Sequence, residues 1–137
     1  MNRRIAGAAA AGAILAAVAA TVLLLQPQPT RTIDIAIEHS RFHPAEVTVT
    51  AGETVRFVVR NGDPIAHEFI LGSAAEQRAH ERGRPREHHE PGAVSLEGGA
   101  EGVTEYTFDQ AGTVIYGCHL PRHYDYGMRG TVVVEPA

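Results

Sequence analysis

The chain's one thiol, two of its eight imidazoles and one of its two thioethers sit in one short run. Cys118-His119-Leu120-Pro121-Arg122-His123-Tyr124-Asp125-Tyr126-Gly127-Met128 places a thiol, an imidazole and a thioether at successive spacings of five. The run lies between two alternating apolar patterns, so a loop joining two strands would fold the three groups onto one point. A second imidazole is available at His67, just after the turn signal Asn61-Gly62-Asp63-Pro64. Two imidazoles, a thiolate and a thioether are the donor set of a trigonal copper site with a long, weak axial Met. The thiolate is a soft donor that favours Cu(I), and the imidazoles suit both oxidation states. Zinc binds His and Cys as well, but it prefers a fourth strong ligand or water, which makes Met128 a poor match.

Taken singly, each residue has a packing reading. Cys118 is also what a buried core thiol looks like, Met128 what core filler looks like, and His67 what a satisfied histidine at a strand end looks like. Jointly they fit one site. Cys118 is the one cysteine, which excludes an intrachain disulfide and the zinc motifs built on two or four cysteines. A lone thiol in an exported protein risks oxidation, and metal ligation explains why it is kept. In an alternating strand His119 points away from Cys118, so it is read as facing solvent or a partner rather than as a ligand.

The chain has 137 residues, about one domain's worth, with 12 basic residues, 16 acidic residues and eight His. All the basic residues are Arg. The net charge of −4 argues against nucleic acid as a partner. Residues 1–25 are of a different class. After Arg3 and Arg4, Ile5 to Leu25 runs 21 residues without a charge, about 31 Å as a helix, enough to cross a bilayer core. The segment is read as a hydrophobic helix, either a cleaved signal peptide or a membrane anchor. Cleavage after Ala17-Val18-Ala19 would leave the apolar run Val22 to Leu25 exposed, which favours the anchor. Either way the positive flank stays inside, and residues 31 onward lie in the periplasm or outside the cytoplasm. Residues 26–30, Gln-Pro-Gln-Pro-Thr, form a stiff linker. The domain proper is 31–137, with ten basic residues against all sixteen acidic ones.

That domain reads as strands. Ile33, Ile35 and Ile37 alternate with Asp34, Ala36 and Glu38; Val47 and Val49 alternate with Thr48 and Thr50. Val55, Phe57 and Val59 alternate with arginines, and Val58 between them predicts burial on both faces. Ile65 to Leu71, then Thr104-Tyr106-Phe108, Val114-Tyr116-Cys118 and Val132-Val134 supply the rest. Short strands with Gly and Pro turns predict an all-β antiparallel sandwich or barrel. The segment 73–102 breaks the rhythm as a polar insert. Ser73 with Glu76 is a capping-box pattern that predicts a short helix from Ala74 to about Arg82, stopped by Gly83. His80, His88 and His89 lie in this insert among Glu76, Glu81, Glu87 and Glu90. They are candidates for a weak second copper site, against the plainer reading of a solvated loop. His39 and His43 show no convergent pattern and read as surface residues.

These residues together resemble the cupredoxins, the family of plastocyanin, azurin, auracyanin and rusticyanin. The marks are Phe42-His43-Pro44 with Val47, Val49 and Ala51-Gly52; Asn61 to Phe69; and the loop Cys118 to Met128. The resemblance covers nearly all of 31–136. It implies an eight-strand Greek-key sandwich with one type 1 copper ion held by His67, Cys118, His123 and Met128. The ligand spacing is more like that of auracyanin and rusticyanin than of plastocyanin or azurin. Arg122 departs from the pattern, standing where many relatives carry Gly, and the insert resembles that of periplasmic cupredoxins linked to copper tolerance.

Two functions follow as expectations. The first is single-electron transfer on the outer side of the cytoplasmic membrane to a membrane-associated redox protein, with the edge of His123 as the electron port. The second is copper tolerance, by binding or oxidising excess copper. An enzyme is not expected. The His-x-His pairs of a trinuclear oxidase cluster and the second Cys of a dinuclear centre are both missing from the sequence.

Overall fold

The computed structural model describes residues 31–83 and 90–137. The hydrophobic segment 1–25, the linker 26–30, His88 and His89 lie outside the described residues. No helix among those described is long and apolar enough to cross a membrane.

The strands are β1 (Arg31–Glu38), β2 (Arg41–His43), β3 (Glu46–Thr50), β4 (Thr54–Asn61), β5 (His67–Gly72), β6 (Ala93–Leu96), β7 (Glu101–Thr107), β8 (Gly112–Gly117) and β9 (Arg129–Glu135). A four-stranded sheet has the order β2-β1-β4-β7 and a five-stranded sheet the order β3-β9-β8-β5-β6. This is the all-β sandwich expected, with nine strands rather than eight and with two parallel pairs, β1 with β4 and β3 with β9, among the antiparallel ones. The strands that the alternating pattern marks are all present. Ile33, Ile35 and Ile37 point inward from β1, and Phe57 and Val59 from β4; Val58 is buried as well. The parallel register sets Ile35 against Val59 and Ile37 against Asn61.

Two strands lie beyond that pattern. The three-residue β2 folds back on β1 with Phe42 opposite Ile37. Its Phe42 ring meets Phe69 edge-on at 5.8 Å and Tyr116 at 5.4 Å, a contact geometry that aromatic pairs favour. β6 lies inside the segment that the composition assigns to a polar insert. It pairs with β5, setting Leu96 against His67.

The insert's helix forms as its capping box predicts. α1 (Ala74–Glu81) starts at Ser73, whose hydroxyl accepts from the Glu76 N–H while the Glu76 carboxylate accepts from the Ser73 N–H. Two orphan donors of the first turn are thereby satisfied. α1 lies on the outer face of the five-stranded sheet. There Gln77, fully buried, donates through Nε2 to the carbonyls of Ile70 in β5 and Ile115 in β8 at 2.9 and 2.8 Å.

Strand register brings the reactive residues to one end of the sandwich. β8 and β9 pair out to Gly117 and Arg129, so Cys118 and Met128 face each other one step past the ladder. The Cys118 N–H donates to the Met128 carbonyl at 3.2 Å. β5 pairs with β8 at Ile70 and Gly117, and His67 heads β5 at the same end. With the strand period of two, His67, Phe69 and Leu71 face the core along with Tyr116 and Cys118.

Candidate metal centre

His67, Cys118 and His123 come together, with one donor atom from each lying within 4.8 Å of the others. Among the described residues no other group of three or more His, Cys, Asp or Glu side chains has that geometry. Cys118 Sγ lies 3.3 Å from His123 Nδ1 and 4.0 Å from His67 Nδ1. The two imidazole rings stand 5.0 Å apart with their planes at 49°. These separations match ligand bonds of about 2 Å meeting at a shared ion. Each imidazole turns the same nitrogen toward the sulfur, so the donor set fits a metal favouring imidazole and thiolate.

Each side chain is placed by bonds of its own. His67 is fully buried, and its Nε2 lies 2.9 Å from Asp63 Oδ2. A carboxylate only accepts, so this nitrogen carries the proton and Nδ1 is left as a lone-pair donor. Cys118 Sγ accepts from the Glu68 N–H at 3.3 Å. The loop after Cys118 is a chain of tight turns. His123 N–H donates to Leu120, Gly127 N–H to Tyr124 and Met128 N–H to His123, each at 3.0 Å. Met128 is fully buried beside this loop. Arg122 sits at φ +71°, a left-handed conformation that glycine adopts freely. Here the Arg122 guanidinium lies over the Tyr126 ring at 5.2 Å.

The surroundings set the protonation states of the free side chains. Burial pushes the Cys118 thiol up, outweighing the N–H groups of Glu68 and Leu120 that favour the thiolate. Burial pushes the His123 imidazole down, and His67 beside it adds to the effect. For Asp63, burial acts to raise the carboxyl. The N–H groups of Ser40 and His39 and the His67 ring outweigh it and hold the group below its ordinary value.

His119 departs from the sequence expectation. It does point away from Cys118, but toward α1 rather than solvent. Its side chain is only 5% exposed, its Nδ1 lies 2.5 Å from Glu81 Oε1, and its Nε2 meets Gln77 Oε1. Its ring stacks between Tyr124 at 4.9 Å and His80 at 5.1 Å. The alternation rule gave the direction correctly, but α1 covers what would otherwise be open surface. His80 thus packs against His119, and no metal-holding group among the described residues includes it. His43 is exposed as expected. His39 is exposed too, but its backbone N–H bonds Asp63. The role of Asp63 itself was hidden in the sequence, where Asn61 to Pro64 reads as a turn.

Comparison with known proteins agrees with this geometry. A family model described as copper binding proteins, plastocyanin/azurin family, matches residues 30–135. A copper-resistant cuproprotein CopI of Rubrivivax gelatinosus is 44% identical over 110 residues, spanning 77% of this chain and 67% of its own length. A protein of the same name from Pseudomonas aeruginosa is 30% identical, spanning 80% of this chain and 78% of its own. Reduced auracyanin of Roseiflexus castenholzii aligns with a TM-score of 0.67 at 24% identity, over 80% of this chain and 100% of that one. The last likeness shows the fold.

Proposed function

Because this chain belongs to the plastocyanin/azurin family of copper binding proteins, we propose that it serves copper tolerance outside the cytoplasm. Its cofactor is copper. In this reading His67, Cys118 and His123 would hold one ion, with Met128 as a weak fourth ligand. The observation that carries it is the convergence of those three donors within 4.8 Å. The 44% identity to a protein named copper-resistant cuproprotein supports tolerance over electron carriage. The sequence alone ranks those two the other way round.

When bound, copper supplies a one-electron couple. The chain's own part is to present a buried thiol that gives up its proton on metal binding, to keep His123 neutral, and to fix His67 by one nitrogen. In this reading the protein acts as a binding protein: His67, Cys118, His123 and Met128 would together occupy the ion's coordination positions and leave none for a substrate.

Single-electron transfer to a membrane-associated redox protein is the second reading. It is favoured by His123, which is half-buried at the loop surface. On that loop and on the one before His67, Tyr126 and Ile65 are 60% and 50% exposed. Growth against added copper separates the two. Loss of the gene lowers the tolerated copper concentration if the protein serves tolerance. Unchanged tolerance with impaired respiratory electron flow would favour the carrier. Purified full-length chain loaded with Cu(II) is expected to show an intense thiolate-to-copper band at one copper per chain. Absence of that band would overturn the site.

A further inference from the structure

Asp63 is held in a cradle that serves His67. Its Oδ1 accepts from the His39 N–H and its Oδ2 from the Ser40 N–H, both at 2.7 Å. Both donors sit at φ +53°, a left-handed conformation that costs a non-glycine residue roughly 1 kcal/mol or more. Two adjacent N–H groups are thereby aimed at one carboxylate. From the other side, the Asp63 N–H donates to Asn61 Oδ1 at 3.0 Å. Asn61, itself buried, donates through Nδ2 to the carbonyls of Ile65 and Glu97 at 2.8 and 3.0 Å. The carboxylate is 13% exposed, and the remaining Oδ2 direction meets His67 Nε2. Burying a charge is costly unless it is hydrogen-bonded, and here the donors converge from three residues.

We propose that Asp63 is a positioning residue that orients His67 and tunes it as a metal ligand, biasing the site toward Cu(II). The inference rests on the reading of His67 as a copper ligand and deepens it. A carboxylate on the distal nitrogen fixes the tautomer and makes the coordinating nitrogen more basic. Its negative charge, one imidazole away from the metal, favours the more highly charged ion. Copper held as Cu(II) suits a tolerance role, because the ion is then kept in its oxidised form.

The test compares wild type with Asp63→Asn and Asp63→Ala. Asn keeps one acceptor for His67 and Ser40 but removes the charge; Ala removes the bond as well. Loss of such outer partners typically lowers metal affinity about 10–100-fold. In Asp63→Asn the ratio of Cu(II) to Cu(I) affinity is expected to fall about tenfold, a rise in potential of about 59 mV for one electron, with the visible band retained. A merely structural Asp63 would lower the melting temperature and leave that ratio unchanged, which would overturn the proposal.

A copper-free readout guards against poor folding. Nitrogen-15 NMR of His67 in the apo chain is expected to show one Nε2–H tautomer in wild type and a mixture in Asp63→Ala. The same single tautomer in both would also overturn it. Failure of the underlying reading looks different. Wild type would then lack the band, or His67→Ala would keep it, while the tautomer result stood.

Discussion

Gln77 and His119 lock the inserted helix to the metal end of the sandwich. Gln77 Nε2 is committed to the Ile70 and Ile115 carbonyls, so its Oε1 is the acceptor that meets His119 Nε2. His119 follows Cys118 directly, and Glu81 holds its other nitrogen. The helix is therefore bonded to the backbone of β5, which carries His67, and of β8, which leads into Cys118. Gln77→Ala strips a partner from each of two strand carbonyls and from His119. An unsatisfied buried polar group costs about 1–3 kcal/mol. We expect a lower melting temperature by circular dichroism and a weakened visible band in the copper-loaded chain. Deleting residues 74–91 is expected to abolish the band, whereas an appendage would be removed without effect.

Gly130, which pairs with Tyr116 just inside the ladder from Cys118 and Met128, predicts a packing defect. A side chain there would collide with the Tyr116 ring. Tyr116 is fully buried, packs on Phe42 and Phe69, and donates its hydroxyl to the Pro44 carbonyl at 2.7 Å. Any retreat of the ring gives up those contacts. Gly130→Ala is expected to cost about 1–3 kcal/mol, the usual range for overpacking, read as a lower urea midpoint with an unchanged slope. An unchanged midpoint would mean that Tyr116 has another rotamer.

Copper uptake carries a proton signature. Burial raises the Cys118 thiol above its ordinary value of 9.0, so at neutral pH the free chain holds the thiol proton. Metal binding needs the thiolate and must expel that proton. Burial lowers His123 below its ordinary 6.5, so at neutral pH that ring adds no proton to the release. Affinity is expected to rise at least tenfold per pH unit across pH 7–8, with at least one proton released per copper in an unbuffered titration. A flat profile would show that the thiol is already ionised.

The folded state feels the same shifts in the free chain. His123, lowered on folding, contributes its full share of stability above the unfolded value of about 6.5 and loses it as pH falls from there through the lower folded value. Cys118, raised on folding, contributes fully below its unfolded value, and that share is lost as pH rises through the folded one. Apo stability should therefore fall off on both sides of neutrality, and Cys118→Ala should flatten the alkaline side.

The convergence of His67, Cys118 and His123 was legible because the candidate donors are chemically distinctive and locally spaced. Cys118, His123 and Met128 share one loop, and His67 follows a strong turn. The strands with clean alternation, such as Ile33 to Ile37, were equally visible. β6 was not. Ala93 to Leu96 is four residues long, flanked by Gly and Glu, and among the described residues it pairs with β5 alone. The Asp63 cradle was hidden for a related reason. Its donors His39 and Ser40 are 24 and 23 residues away, and backbone N–H groups have no residue signature. The burial of His119 depends on where α1 lands, which the capping box at Ser73 does not encode.

Met128 separates ligation from packing. It is fully buried beside Cys118, and its backbone ties both to His123 and to Cys118. Leu has nearly the same volume and usually substitutes for Met at less than about 1.5 kcal/mol. Met128→Leu therefore leaves the loop in place and removes only the thioether. If that sulfur is a weak donor, its loss withdraws more support from Cu(II) than from Cu(I), because the thiolate already satisfies the softer ion. The blue band is expected to remain while the potential measured by protein-film voltammetry rises. Cys118→Ser supplies the contrast, since it removes the thiolate and with it the band. An unchanged or lowered potential in Met128→Leu would reduce Met128 to core filler and leave the site with three ligands.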